Sequence, residues 1–164
     1  MAQDKSSKAP LYLLGGLALW EATIWLADLR RRREAYAEAR NFSDSVGKPL
    51  LVVGSPLFGF THPCGDVTID LNPRRLRFCP IGGQVADVRD IPYPDKHFGA
   101  AHCSHVLEHL HTVEDAERAL SELNRVADKV WVVSPSKLSW MAWIYAQHHL
   151  WVTEKDGHFI IEQR

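Results

Sequence analysis

Hydrophobic positions along this chain fall into three patterns. From Leu11 to Ala27 they are nearly continuous, interrupted by a single charge at Glu21. As a helix that run would extend about 26 Å at ~1.5 Å per residue, a little short of a ~30 Å hydrocarbon core. From residue 50 onward the pattern changes to five short apolar runs bounded by turn residues: Leu50–Ser55, Asp66–Leu71, Gln84–Val88, Gly99–Ser104 and Val130–Ser134. Between the fourth and fifth, Val113–Ala127 has helical spacing, with Leu120, Leu123 and Val126 on one face and Thr112 as N-cap, three residues before Asp115. Near-continuous apolar strands joined to a helix predict a mostly parallel sheet covered on both faces.

The first run admits three readings. A cleaved signal peptide is opposed by the arginines that follow at once, Arg30 to Arg33. A core helix of a soluble domain would have to bury an apolar surface on every side. The remaining reading is a membrane anchor over residues 10–29, with Tyr12, Trp20 and Trp25 toward its ends. Glu21 then needs a hydrogen-bond partner, which a partner helix would supply, and Gly15-Gly16 would allow close approach. Arginines at one end place the rest of the chain on the cytoplasmic side. The organisation expected is a polar stretch over 1–9, the anchor, a charged helix and linker over 30–48 with Asn41–Lys48 as the turn, and a domain over 49–164.

Composition changes this picture little. The 164 residues suffice for one domain with a core, and a net charge of −1 gives no general attraction to nucleic acid. Three cysteines, Cys64, Cys79 and Cys103, without Cys-x-x-Cys spacing argue against a disulfide framework or zinc site and for a reducing compartment. His105 and His109 share a helix face, but His-Val-Leu-Glu-His is not the metalloprotease order, and no metal is expected. His148-His149 reads as a surface pair, and Arg74, Arg75 and Arg77 as a solvated basic loop.

The run Phe98-Gly-Ala-Ala-His-Cys-Ser-His-Val-Leu-Glu-His-Leu110, with Ala86-Asp-Val-Arg-Asp-Ile-Pro-Tyr upstream, resembles class I S-adenosylmethionine-dependent methyltransferases of the type 11 branch. The likeness extends over residues 50 to 136. It implies a reduced Rossmann-like methyltransferase fold, α/β with a mostly parallel sheet, behind an N-terminal hydrophobic helix. It also implies S-adenosylmethionine as cofactor. Gly54 would be the turn after the first strand, and Asp70 the acidic residue on the ribose hydroxyls. Asp87 and Val88 would flank the adenine, and Ser104 and His105 would line the sulfonium end. No catalytic residue is assigned, although His105 at the pocket rim is a conceivable base.

The chain also departs from that family. Its first loop reads Gly54-Ser-Pro-Leu-Phe-Gly59, with Pro56 and bulky groups where the family has a glycine-rich turn, and the first crossover looks too short for a helix. Past the fifth strand the family's helix and antiparallel pair look absent, replaced by an aromatic stretch over 137–151 and one last strand at Phe159-Ile160-Ile161. Trp140 and Trp143 suit a membrane interface or a protein partner, and a helix covering the sheet fits equally. Two functions are expected. The first is a non-catalytic structural subunit of a membrane protein complex, of bioenergetic or transport type, contacting integral membrane subunits through Trp20, Glu21, Trp25, Arg30, Arg31, Trp140 and Trp143. The alternative is an active methyltransferase on a lipid-like or small-molecule substrate.

Overall fold

The structure, a computed structural model, describes residues 9–56 and 61–164. It opens with one unbroken helix, α1 (Ala9–Ser45), then β1 (Leu50–Val53), β2 (Val67–Asp70), β3 (Gly83–Val85), β4 (Phe98–Ser104), α2 (Val113–Val126), β5 (Ala127–Val133), a short α3 (Trp140–Ile144), β6 (Leu150–Lys155) and β7 (His158–Gln163). The five strands predicted from the apolar runs all form, and they make one parallel sheet in the order β3-β2-β1-β4-β5. Chain direction across the sheet reverses between β1 and β4, the place where open α/β sheets leave a crevice beyond their strand tips.

Helix α1 serves two purposes along its length. Its C-terminal half lies on the sheet, where Tyr36, Ala39 and Phe42 pack against Leu50, Val52, Ala100 and Trp131. Its N-terminal half carries Leu11, Leu13, Leu14, Leu17, Leu19 and Trp20 exposed. It is long and apolar enough to cross a membrane, and its apolar window is not buried in the domain. The expected Asn41–Lys48 linker is mostly helix. The chain turns only at Gly47, with φ +66°, while the Lys48 N–H donates to the Ser43 carbonyl at 3.2 Å. Glycine in that left-handed position is a common helix stop.

Among the described residues no helix joins β1 to β2, in line with the short crossover, and α1 covers β1, β4 and β5 instead. Helix α2 begins as predicted, its Thr112 hydroxyl accepting from the Asp115 N–H at 3.1 Å. It buries Ala116, Ala119, Leu123 and Val126.

Two more expectations are corrected. The C-terminal antiparallel pair is present: β6 and β7 form a hairpin in register from Leu150↔Gln163 to Lys155↔His158, separate from the main sheet. The turn is Asp156-Gly157, both at positive φ, the tight-hairpin dipeptide. The argument against a disulfide also fails, because Cys64 and Cys79 are bonded, with Cα atoms 5.7 Å apart. The loop before β2 and the short 3-10 turn Leu76–Phe78 fold together and bring the two sulfurs into reach. Cys103 stays free and buried in β4.

Candidate functional site

The tips of β1, β2 and β4 open into a cleft of about 610 Å³, lined by Gly54, Asp70, Val88, Ser104 and His105 among others. A larger open groove of about 1000 Å³ runs between α1, β5 and the hairpin, away from the strand tips, and holds none of the predicted cofactor-binding residues. The cleft is the better candidate because it lies at the crevice the topology creates.

Each wall of the cleft has a local cause. Gly54 leaves β1 with φ +83°, and a Cβ there would meet the Val106 side chain at 2.6 Å. Glycine is needed at this turn even without the glycine-rich run. The loop from Leu57 to Phe60 lies outside the described residues. Asp70 ends β2 with its carboxylate accepting from the Ser55 N–H at 2.9 Å and the Asn72 N–H at 2.8 Å. A carboxylate has about four acceptor directions, so two remain. Ser104 is buried with its hydroxyl unpartnered, at the tip of β4. Asp87 is not part of the lining. Its carboxylate is taken by Arg89, whose Nη2 donates at 2.7 Å and holds the acid below its usual range.

His105 is held in a strained conformation, φ 55° for a non-glycine residue, with its N–H donating to the Val133 carbonyl at 2.8 Å. Both ring nitrogens are engaged. Arg32 Nη2 stands 2.9 Å from Nδ1, and because arginine can only donate, Nδ1 accepts. Nε2 therefore carries the hydrogen and donates to Asp28 at 3.2 Å. Burial lowers the His105 pKa despite the nearby carboxylate. With no free lone pair, His105 positions neighbours and is a poor base. Asp28 and Arg32 come from α1, so the first helix supplies part of the cleft wall. The sequence reading missed them, although two opposite charges four residues apart beyond an apolar run are the signal for one shared face.

The opposite rim is rich in histidine. His109, His111, His149, Tyr145 and Gln147 line it, and the His111 and His149 rings stack at 4.5 Å. Beneath it, Glu108 is 1% exposed, and burial pushes its pKa up to about 8. His148 is pushed down to about 4, by burial first and then by His109.

Residues expected at a membrane or partner surface divide in two. Trp20 and Glu21 bond within the chain: the Trp20 indole donates to the Leu138 carbonyl at 3.0 Å, and Glu21 accepts from the Ser139 hydroxyl and from the Trp140 N–H at 3.1 Å. Arg30 pairs with Glu34 and Arg31 with Asp28. Trp25, Trp140 and Trp143, like Trp20, remain substantially exposed.

Residues 62–129 match a family described as a methyltransferase domain, type 11. Solved structures similar to the chain include the N-methyltransferase NodS of Bradyrhizobium japonicum WM9 in complex with S-adenosyl-L-homocysteine, at TM-score 0.43 and 20% identity, covering 57% of this chain and 56% of that one. Another is an S-adenosylmethionine-dependent methyltransferase of Thermotoga maritima, a possible histamine N-methyltransferase, at TM-score 0.42 and 16% identity, covering 68% of this chain and 56% of that one. The chain spans little more than half the length of either. No curated protein matches it. The family match supports the resemblance to class I methyltransferases over residues 62–129, and the fold is a parallel-sheet, Rossmann-like α/β fold.

Proposed function

We propose that this chain is an S-adenosylmethionine-dependent methyltransferase working at a membrane surface on a lipid-like or small-molecule acceptor. The observation that carries this is the cleft at the β1/β4 switch point, where Gly54, Asp70, Val88, Ser104 and His105 line one space of about 610 Å³. The residues fit the cofactor: Asp70 has spare acceptor capacity for a diol, and the buried Ser104 hydroxyl lacks a partner of its own. The bound cofactor would supply an electrophilic methyl group. Asp70 and Val88 would hold its nucleoside, and the His105–Asp28–Arg32 cluster would keep the cleft wall rigid. Such transfers gain mainly from proximity and orientation. The acceptor would enter over the His109, His111 and His149 rim.

The membrane part of the proposal has its own geometry. The domain's contacts with α1 reach up to Trp20 and Glu21. Beyond them project Pro10 to Leu19, about 15 Å of helix at ~1.5 Å per residue, which is half of a ~30 Å hydrocarbon core. The exposed Trp140, Met141, Trp143 and Ile144 lie beside that base on α3. This supports insertion into one leaflet, with α3 lying in the interface. Lys8 and Lys5 bound the apolar run on its other side.

A non-catalytic subunit of a membrane complex is the second reading. What favours it is that both Asp70 oxygens already serve the chain's own N–H groups, beside a loop carrying Pro56. Glu21, which called for a partner subunit, finds its partners within the chain. Labelled S-adenosylmethionine incubated with the full chain and vesicles made from a total lipid extract tests the enzyme reading. Label should appear in the lipid or small-molecule fraction and vanish with Asp70→Ala. Tight cofactor binding without any transfer to such fractions would move the protein to the second reading.

A further inference from the structure

Glu108, His109 and His148 meet below the histidine rim, with one ligand-capable atom of each within 4.8 Å of the others. From this cluster we infer that the protein holds a zinc-class divalent cation, bound by the Glu108 carboxylate and the two imidazoles.

Three independent features point the same way. The Glu108 carboxylate is 1% exposed and neither oxygen accepts a hydrogen bond. Its nearest ionic neighbour is His105 Nδ1 at 3.3 Å, a nitrogen whose lone pair already accepts from Arg32. A buried carboxylate without a donor is rare in a folded protein and calls for an ion or ligand. Second, both histidines are oriented through Nδ1 to backbone carbonyls, His109 to Gln147 at 2.9 Å and His148 to Ala142 at 3.2 Å. Each Nδ1 is then the donor, which leaves Nε2 as the basic nitrogen. Imidazoles that ligate metals are held in this way, their second nitrogen donating to a carbonyl or carboxylate. Third, the backbone fixes the two halves together, since the His149 N–H donates to the Glu108 carbonyl at 2.7 Å. That bond ties the turn carrying Glu108 and His109 to the segment carrying His148.

Two imidazoles and one carboxylate are a donor set of borderline hardness, suited to Zn²⁺ and Co²⁺ more than to Mg²⁺ or Ca²⁺. Three protein ligands leave a fourth position, and His109 belongs to the cleft lining. An acceptor oxygen or nitrogen entering over the rim would take that position and lose its proton more easily there. The local sequence hides the site because His148 arrives from the far side of β5 and α3.

The test uses the full chain in detergent micelles, stripped with a chelator and titrated with Co²⁺ without cofactor. One equivalent should bind with visible absorption bands typical of low-coordinate cobalt, and Zn²⁺ should displace it. His148→Ala and the near-isosteric Glu108→Gln should each weaken binding at least tenfold while circular dichroism stays that of the parent chain. His149→Ala, at the stacked neighbour, should bind normally. Asp70→Ala should also bind Co²⁺ normally, so the metal site and the cofactor site fail separately. Absence of stoichiometric binding, or equal binding by His148→Ala, would overturn the inference.

Discussion

Asp28 on the first helix and His105 at the tip of β4 meet with carboxylate oxygen and Nε2 3.1 Å apart, across 77 positions of sequence. Asp28 is 6% exposed and also receives Arg31 and Arg32 at 2.8 and 2.7 Å. The carboxylate thus joins the helix to the cleft wall and compensates two guanidinium groups. Removing one partner of such a cluster leaves uncompensated charge. Asp28→Ala should cost on the order of 3 kcal/mol of stability and weaken cofactor binding. The milder Asp28→Asn should restore most of the stability. Thermal unfolding of both variants checks this, and an unchanged midpoint in Asp28→Ala would remove the cluster from the account.

Insertion into one leaflet makes a prediction that a spanning helix does not. Leu14→Glu should release the protein from lipid vesicles in a flotation assay, while Arg30→Glu, on the stretch of α1 that lies along the domain, should float normally. A thiol placed by Leu11→Cys should be unreachable by an impermeant reagent on the far side of sealed vesicles. Labelling from the far side would mean that the helix crosses.

His102 sits within β4, fully buried, edge-on to the Tyr36 and His62 rings, with neither nitrogen hydrogen-bonded. Burial lowers its pKa from 6.5 to about 3. The folded state keeps it neutral while the unfolded chain protonates near the ordinary value. Its contribution is therefore full above pH 6.5 and lost as pH falls from there toward 3, at up to ~1.4 kcal/mol per pH unit. His102→Phe should flatten this acid limb and shift acid unfolding to lower pH. An acid midpoint that does not move would show that His102 is neutral for some other reason.

The Cys64–Cys79 bond closes a loop with a sequence separation of 15, worth about 3 kcal/mol by chain-entropy arguments. Mass analysis of the non-reduced chain should find one disulfide and one free thiol, Cys103. Reductant should lower the thermal midpoint of the parent chain but leave Cys64→Ser unaffected. Such a bond persists in oxidising compartments, whereas the arginine block read in the sequence implies the cytoplasm. With Arg31 and Arg32 engaged by Asp28, that block is a weaker guide to sidedness than its composition suggests.

How much could be read in advance follows from the range of the interactions. The five strands and α2 were legible because each carries its own period and boundary signals, as Thr112 and Asp115 illustrate. Of the residues the resemblance pointed to, Gly54, Asp70, Ser104 and His105 fall in one cleft because they stand at or just past strand tips that a parallel sheet aligns, and Val88 joins them from the loop after β3, whereas Asp87 does not. The unity of α1 was not, since a helix that is half domain wall and half apolar projection mixes two patterns, and only packing against Leu50 and Ala100 settles where one gives way to the other. Long-range pairings were out of reach for the same reason: Glu21 with Ser139, Asp28 with His105, and Cys64 with Cys79. The hairpin was readable at Asp156-Gly157, but its first strand is masked by the aromatic stretch before it.

The central claim is that the cleft at the strand tips holds S-adenosylmethionine. The most direct test is calorimetric titration of S-adenosylmethionine and S-adenosylhomocysteine into the full chain in detergent micelles. The account predicts one site of micromolar strength for each, weakened at least tenfold by Asp70→Ala and unaffected by His149→Ala or by chelator. No binding heat from a protein that circular dichroism finds folded would contradict it, and the cleft would then be a methyltransferase fold without its cofactor.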